Sequence, residues 1–141
     1  MLRVNRSAWQ SRPPDYSLCD QTVTIYHQDA EKHVSRTVIR GVHLDAKSSH
    51  TLDKIGSKTE HAFLLVIPQR SCAFLPPGEY DGAFGTYTLA ALDKVLPGEG
   101  PELADAAWAS FLPARVPGLL AVRNIDPKYY GGKLCHVEVS G

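Results

Sequence analysis

Apolar and polar residues alternate through much of this chain with the period of two that marks β-strands. Residues 21–27 (QTVTIYH) are rich in β-branched side chains and predict a first strand, followed by a polar turn over 28–33. Residues 35–44 (SRTVIRGVHL) predict a second, with Val38, Val42 and Leu44 on one face. Gly41 within it predicts a bulge or sharp bend, because glycine weakens a regular strand. The alternation then lapses. Residues 46–60 (AKSSHTLDKIGSKTE) are polar and nearly lack apolar positions, which predicts a long loop or hairpin tip, the usual place for a functional segment. His61 to Pro68 (HAFLLVIP) is apolar throughout and is expected at the centre of the core, ended by a proline that supplies no ladder N–H.

The second half is more broken. Phe74 to Gly78 (FLPPG) predicts a rigid turn, 82–89 (GAFGTYTL) a short strand around Tyr87, and 92–100 (LDKVLPGEG) a strand closed by Pro-Gly. Residues 101–111 (PELADAAWASF) are the one helical candidate: proline comes early, acids fill the first turn, and Leu103, Ala107 and Phe111 recur every fourth position beside Trp108. Pro113 and Pro117 stop it. Leu119 to Ile125 and Leu134 to Ser140 predict a final pair of strands, with DPKYYGGK between them as the hairpin turn. In the last strand Cys135, Val137 and Val139 fall on one face, His136 and Glu138 on the other. The expected fold is mainly β: a small barrel or sandwich of about six or seven short strands, one short helix and a long polar loop. Residues 1–19 are expected to form an N-terminal arm, and 20–141 a single β-rich domain.

Composition narrows the function more than the fold. Hydrophobic residues make up 43% and charged residues 21% of the 141, which suits one ordered domain with a modest core. Lys plus Arg and Asp plus Glu number 15 each, so the chain lacks the broad positive field of a non-specific nucleic-acid binder. Its longest apolar run, Phe63 to Ile67, is far short of the roughly 20 residues that span a bilayer. The first residues (MLRVNRSAWQSRPPDY) have no apolar core or small-residue cleavage site, unlike a signal peptide. Cys19, Cys72 and Cys135 are odd in number and widely spaced, as reduced thiols would be.

Searching for chemistry yields no catalytic, cofactor-binding or metal assignment. The chain contains no G-x-S-x-G, no G-x-x-x-x-G-K-[ST] and no H-E-x-x-H, and Gly98-Glu-Gly100 lacks the third glycine of a dinucleotide loop. The six histidines, among them His43 and His50 beside the polar stretch, show none of the short spacings of structural zinc sites. Cys135 and His136 are neighbours in a strand and point to opposite faces, so they form no thiol–base pair, and Cys135 reads as a small hydrophobe. Glu99 with Glu102, or Asp45 with Asp53, lie in polar segments where carboxylates serve solubility. Tyr129 and Tyr130 lack a basic partner run for stacking bases and read better as a hairpin that packs on a neighbouring subunit.

Several segments in order, TVTIYH, RTVIRGVHLD, GTYTLAALDKVLPGEG, AVRNID and LCHVEVSG, resemble the small minor-capsid or head–tail connector proteins of phages and prophages of Gram-positive bacteria. The resemblance covers about Asp20 to Gly141; the extension to Cys19 and the stretch Glu102 to Pro117 exceed the family pattern. It implies a non-enzymatic virion protein, made in the host cytoplasm and placed in the neck as a head-closure or stopper ring between portal-adaptor and tail. It implies self-association in rings of about six or a dozen copies, contact with the portal or adaptor and with a tail-terminator or tail-tube protein, packaged DNA met only through the channel, and no membrane. Within that reading Lys47, Ser48, His50, Lys54 and Lys58 are the candidate channel or inter-ring loop, and Tyr129 and Tyr130 the candidate subunit-contact hairpin. The alternatives are a tail-terminator or tail-completion protein of the same particle, or a small β-barrel binding module.

Overall fold

The structure is a computed structural model that describes residues 15–53, 56–70 and 72–141, with backbone only for 47–53 and 56–61. Its strands are β1 (Gln21–Gln28), β2 (Val34–Asp53), β3 (Gly56–Pro68), β4 (Ala73–Phe74), β5 (Thr86–Tyr87), β6 (Lys94–Pro97), β7 (Leu120–Ala121), β8 (Asn124–Tyr130) and β9 (Lys133–Ser140). Seven of them form one antiparallel sheet in the order β7-β6-β1-β2-β3-β9-β8, while β4 and β5 pair in parallel as a separate two-stranded patch. The fold is mainly β, as the alternation required.

The sheet is not a closed barrel, yet its two ends meet. Its edge strands β7 and β8 are separated in the chain by Val122 and Arg123 alone. A trans-peptide spacing of 3.8 Å keeps the end of β7 within about 11 Å of the start of β8. At this junction Val122 N–H donates to Asp93 O and Arg123 N–H to Ser140 O, so consecutive residues tie the chain to opposite ends of the sheet. The predicted strand over 119–125 is therefore two strands, broken where it passes from β6 to β9.

The curl is made possible at Gly41. Opposite Gln21 and Thr22 of β1 stand Val42 and Arg40, so Gly41 is the extra residue of a bulge, with φ 80°. Past it, β2 leaves β1 and pairs with β3 from His43 onward. The bulge corrects the expected facing of β2. Ile39 and Val42 are both buried while Val38 is only half-buried, because the inserted residue switches the alternation between them.

The inner surface of the curl holds the main core, built from Val23, Ile25, Phe63, Leu65, Tyr87, Val95, Val137, Val139 and their neighbours. β3 contributes one face only: Phe63, Leu65 and Ile67 are buried, whereas Leu64 is exposed. Its continuous apolar run is thus an alternating strand. On β1 the opposite face is covered too, since Tyr26 packs with Phe111 and Leu119 in a second cluster supplied by residues 98–119. Tyr26 meets Phe111 edge-on at 4.7 Å and its hydroxyl donates to Pro101 O at 2.7 Å. The Thr24 hydroxyl donates to Gly98 O and accepts from Gly100 N–H, so the Pro-Gly turn is stitched to the strand beneath it.

The predicted helix is a 3₁₀ segment, Asp105–Ser110. Ala104 offers no side-chain cap. The Asp105 carboxylate instead accepts from Val34 N–H at 2.8 Å and pairs with His33. Lys94 holds the segment from below: its Nζ donates to Trp108 O at 2.9 Å and lies 4.0 Å over the Trp108 ring. With its first-turn donors uncapped and its acid committed elsewhere, the segment stays in short i→i+3 turns.

Candidate assembly surface

The polar stretch 46–60 is a hairpin ribbon rather than a loop. β2 and β3 pair through it from Lys47 opposite Ala62 to Asp53 opposite Gly56. β1 has left β2 after Val42, and β9 reaches β3 only at Leu64. Among the described residues, therefore, the ribbon pairs with itself alone beyond Ala46 and Phe63. Its eight residues from Ala46 to Asp53 project roughly 26 Å at 3.3 Å per residue. Serine, threonine and lysine predicted a loop because they are polar; a two-stranded pairing is held by main-chain hydrogen bonds, which do not depend on apolar alternation.

Of the residues singled out on that stretch, Lys47, Ser48 and His50 stand on β2 and Lys58 on β3, while Lys54 lies outside the described residues. The backbone thus gathers four of the five on one projecting element. The ribbon's root is fixed by Phe63, which is buried and whose N–H donates to Gly141 O.

Tyr129 and Tyr130 are in β8 itself, not in the turn. Residues 124–130 form a strand with Pro127 inside it, and Gly131-Gly132 alone make the turn, at φ 59° and 79°. Both values lie in the left-handed region that a two-residue type I′ hairpin requires. Tyr129 is exposed and Tyr130 half-buried, so one large ring of the pair faces outward. Pro127 is tolerated because, among the described residues, β8 pairs with β9 on one edge only.

Two polar clusters have no signature in the sequence because their members are far apart in the chain. His27 and Asp93 are buried in the core side of the curl, joined Nδ1 to Oδ2 at 2.6 Å, and Ala90 N–H donates to the same carboxylate oxygen. Burial pushes the Asp93 carboxyl above its ordinary value, against the pull of His27 and Ala90. Tyr80 meets the His27 ring edge-on, and a cavity of about 280 Å³ opens beside it toward Asp29 and Asp81. Those two carboxylates cap their own turns, accepting from His33 and Ala83 N–H. The dyad braces β1 against the residue that immediately precedes β6. The second cluster joins the arm to the sheet: the Tyr16 hydroxyl bonds His136 Nδ1 at 2.6 Å, and His136 Nε2 bonds Glu138 at 3.0 Å. Arg70 Nη2 donates to Cys19 O and Gly41 O, so residues 16–19 are docked rather than a free arm. The cysteines are free thiols, and Cys135 bonds Lys133 O rather than its neighbour His136.

The described residues hold no group of three His, Cys, Asp or Glu arranged for a metal ion, and no helix long and apolar enough to cross a membrane. Residues 18–141 match the model of a family described as a family of unknown function, DUF6751. No curated protein and no solved structure matches the chain.

Proposed function

We propose that this chain, which belongs to the DUF6751 family, is a non-enzymatic structural ring component of a phage neck, at head closure between the portal-adaptor and the tail. The observation that carries the reading is the β2–β3 ribbon, a self-paired arm leaving a small, braced β-domain. A ring around a channel needs rigid bodies with projecting elements that reach the axis, the next subunit or the next ring. The candidate residues Lys47, Ser48, His50 and Lys58 sit on such an element. The segments that resemble the connector family also supply much of the sheet, since they fall on β1, β2, β6, β8 and β9. Exposed Tyr129 beside the Gly131-Gly132 turn supplies a second surface for a neighbour. On this reading the partners are further copies of the chain, the portal or adaptor, and a tail-terminator or tail-tube protein.

The test is deletion of the gene in its phage, with electron microscopy of the lysate. DNA-filled or leaking heads beside separate, complete tails are expected. Normal necks with tails of abnormal length or unfinished ends would move the protein to tail completion, and normal virions would overturn the structural role.

A further inference from the structure

The ring of His27 has one nitrogen in use and one to spare. Its Nδ1 is joined to Asp93, and Nε2 has no hydrogen-bond partner among the described residues. The side chain is 8% exposed, yet Nε2 is not sealed off, unlike the unpartnered hydroxyls of Tyr87 and Thr88. It keeps a narrow opening, and the space that His27 lines is the cavity of about 280 Å³ beside Tyr80.

Two segments wall this cavity. The turn between β1 and β2 supplies Asp29 and His33, and the loop after β4 supplies Tyr80 and Asp81. Each aspartate gives one oxygen to backbone N–H groups of its own turn: Asp29 Oδ1 accepts from Glu31 and His33, and Asp81 Oδ1 from Ala83. The second oxygen of each has no hydrogen bond among the described residues, and neither has the Tyr80 hydroxyl. No lysine or arginine lines the cavity, and His33 is exposed with its Nδ1 committed to Asp105. At the buried end, Asp93 accepts from Ala90 N–H and Gln28 N–H as well as bonding His27. An ionised carboxyl so supplied takes a hydrogen from His27 rather than giving one. In the neutral imidazole the hydrogen therefore sits on Nδ1, and Nε2 offers a lone pair.

We propose that this cavity binds an organic cation with several N–H donors, an ammonium or guanidinium group, held by His27 Nε2 at its floor and by Asp29 and Asp81 at its mouth. The lining gathers acceptors and negative charge, which a cationic donor satisfies and an anion does not. The buried lone pair favours a donor over an apolar group, because an acceptor left unpaired on desolvation is costly. The described residues hold no group of three His, Cys, Asp or Glu arranged for a metal ion, so the acceptors are spaced for an organic cation rather than a bare one. At about 280 Å³ the space is just under the roughly 300 Å³ of the smallest ligand pockets, which suits one cationic head on a short stem. Such a head is carried by an arginine or lysine side chain of a partner and equally by a free amine. The site goes beyond the neck reading and does not depend on it.

The test follows the imidazole nitrogens of the full chain by NMR, with the His27 ring assigned, at constant ionic strength. The probes are N-acetylarginine amide, its neutral isostere N-acetylcitrulline amide, and diaminobutane. A saturable displacement of the His27 Nε2 signal by a cationic probe, and none by the citrulline probe, is expected. Asp81 is exposed, and Asp81→Asn keeps an oxygen for Ala83 N–H while losing the charge. It should weaken that binding about five-fold, the upper end for an exposed ion pair. Asp126→Asn, on β8 and away from the cavity, should leave it unchanged. Tighter binding of the arginine probe assigns the site to a partner's side chain, and tighter binding of diaminobutane to a free amine. Shifts that stay linear with concentration for both cations, a citrulline probe that binds as well, or an Asp81→Asn chain that binds undiminished overturns the proposal. None of these results bears on the neck reading, which the particles decide.

Discussion

At the residue scale the least expected feature is a carboxylate in the core. Asp93 is buried against His27, and burial outweighs the hydrogen bonds that favour its ionised form. The sign of its pH dependence follows. Between the ordinary value of 3.8 and the raised folded value, the folded chain keeps a proton that the unfolded chain has lost. Its contribution to stability is therefore full below 3.8 and falls as pH rises through that window. Asp15 and Asp105 are shifted the other way by backbone hydrogen bonds, so the whole-protein trend mixes both signs. Subtracting an Asp93→Asn variant cancels the groups away from this pair. Urea midpoints should show the parent's advantage over that variant shrinking from about pH 3 to about pH 6, and a growing advantage would contradict the raised value. Nothing local in the sequence marks this pair. His27 is the last residue but one of a regular strand and Asp93 follows Leu92, and the β1–β6 ladder brings them together.

At the element scale Gly41 decides the course of β2. Its φ of 80° lies where an L side chain costs about 1–2 kcal/mol. An added Cβ would also stand 3.1 Å from the Arg70 guanidinium that ties Cys19 and Gly41 together. Gly41→Ala should lower stability by about 2 kcal/mol in denaturant titration; an unchanged midpoint would mean the bulge is not required. The sequence did mark this position, because a glycine inside a β-branched run gives up packing and order that a regular strand would keep, and so signals a bend. It marked the ribbon less well. Residues 46–60 lack the apolar alternation that a half-buried strand shows, and pairing through main-chain hydrogen bonds does not need it. The 3₁₀ segment was placed correctly but expected as a regular helix, because the competing bonds of Asp105 to Val34 and His33 come from the other end of the fold.

For the whole molecule, the sheet's ends joined at Val122 and Arg123 and the two cores on either face of β1 make the body self-sufficient. Beyond Ala46 and Phe63 the ribbon's backbone pairs, among the described residues, with itself alone. Replacing Lys47–Ala62 by Asn-Gly, a two-residue turn that closes the Ala46–Phe63 pair, should therefore keep the unfolding free energy within about 1 kcal/mol of the parent. A loss of several kcal/mol in thermal or urea unfolding would show that the ribbon braces the body. Should the body stand without it, the ribbon's length is accounted for by contact with something outside the subunit.

The sequence by itself determined the β class, the position of most strands, the bend at Gly41, the Gly131-Gly132 turn and the stretch that leaves the body. These are local properties: side-chain alternation, β-branching and backbone freedom act within a few residues. Tertiary structure alone decided the strand order, the passage of β2 from β1 to β3, the His27–Asp93 brace and the docking of Tyr16 on His136. Each of these joins positions far apart in the chain, and pairing between distant strands is set by how the whole sheet curls over its core, which no local pattern records.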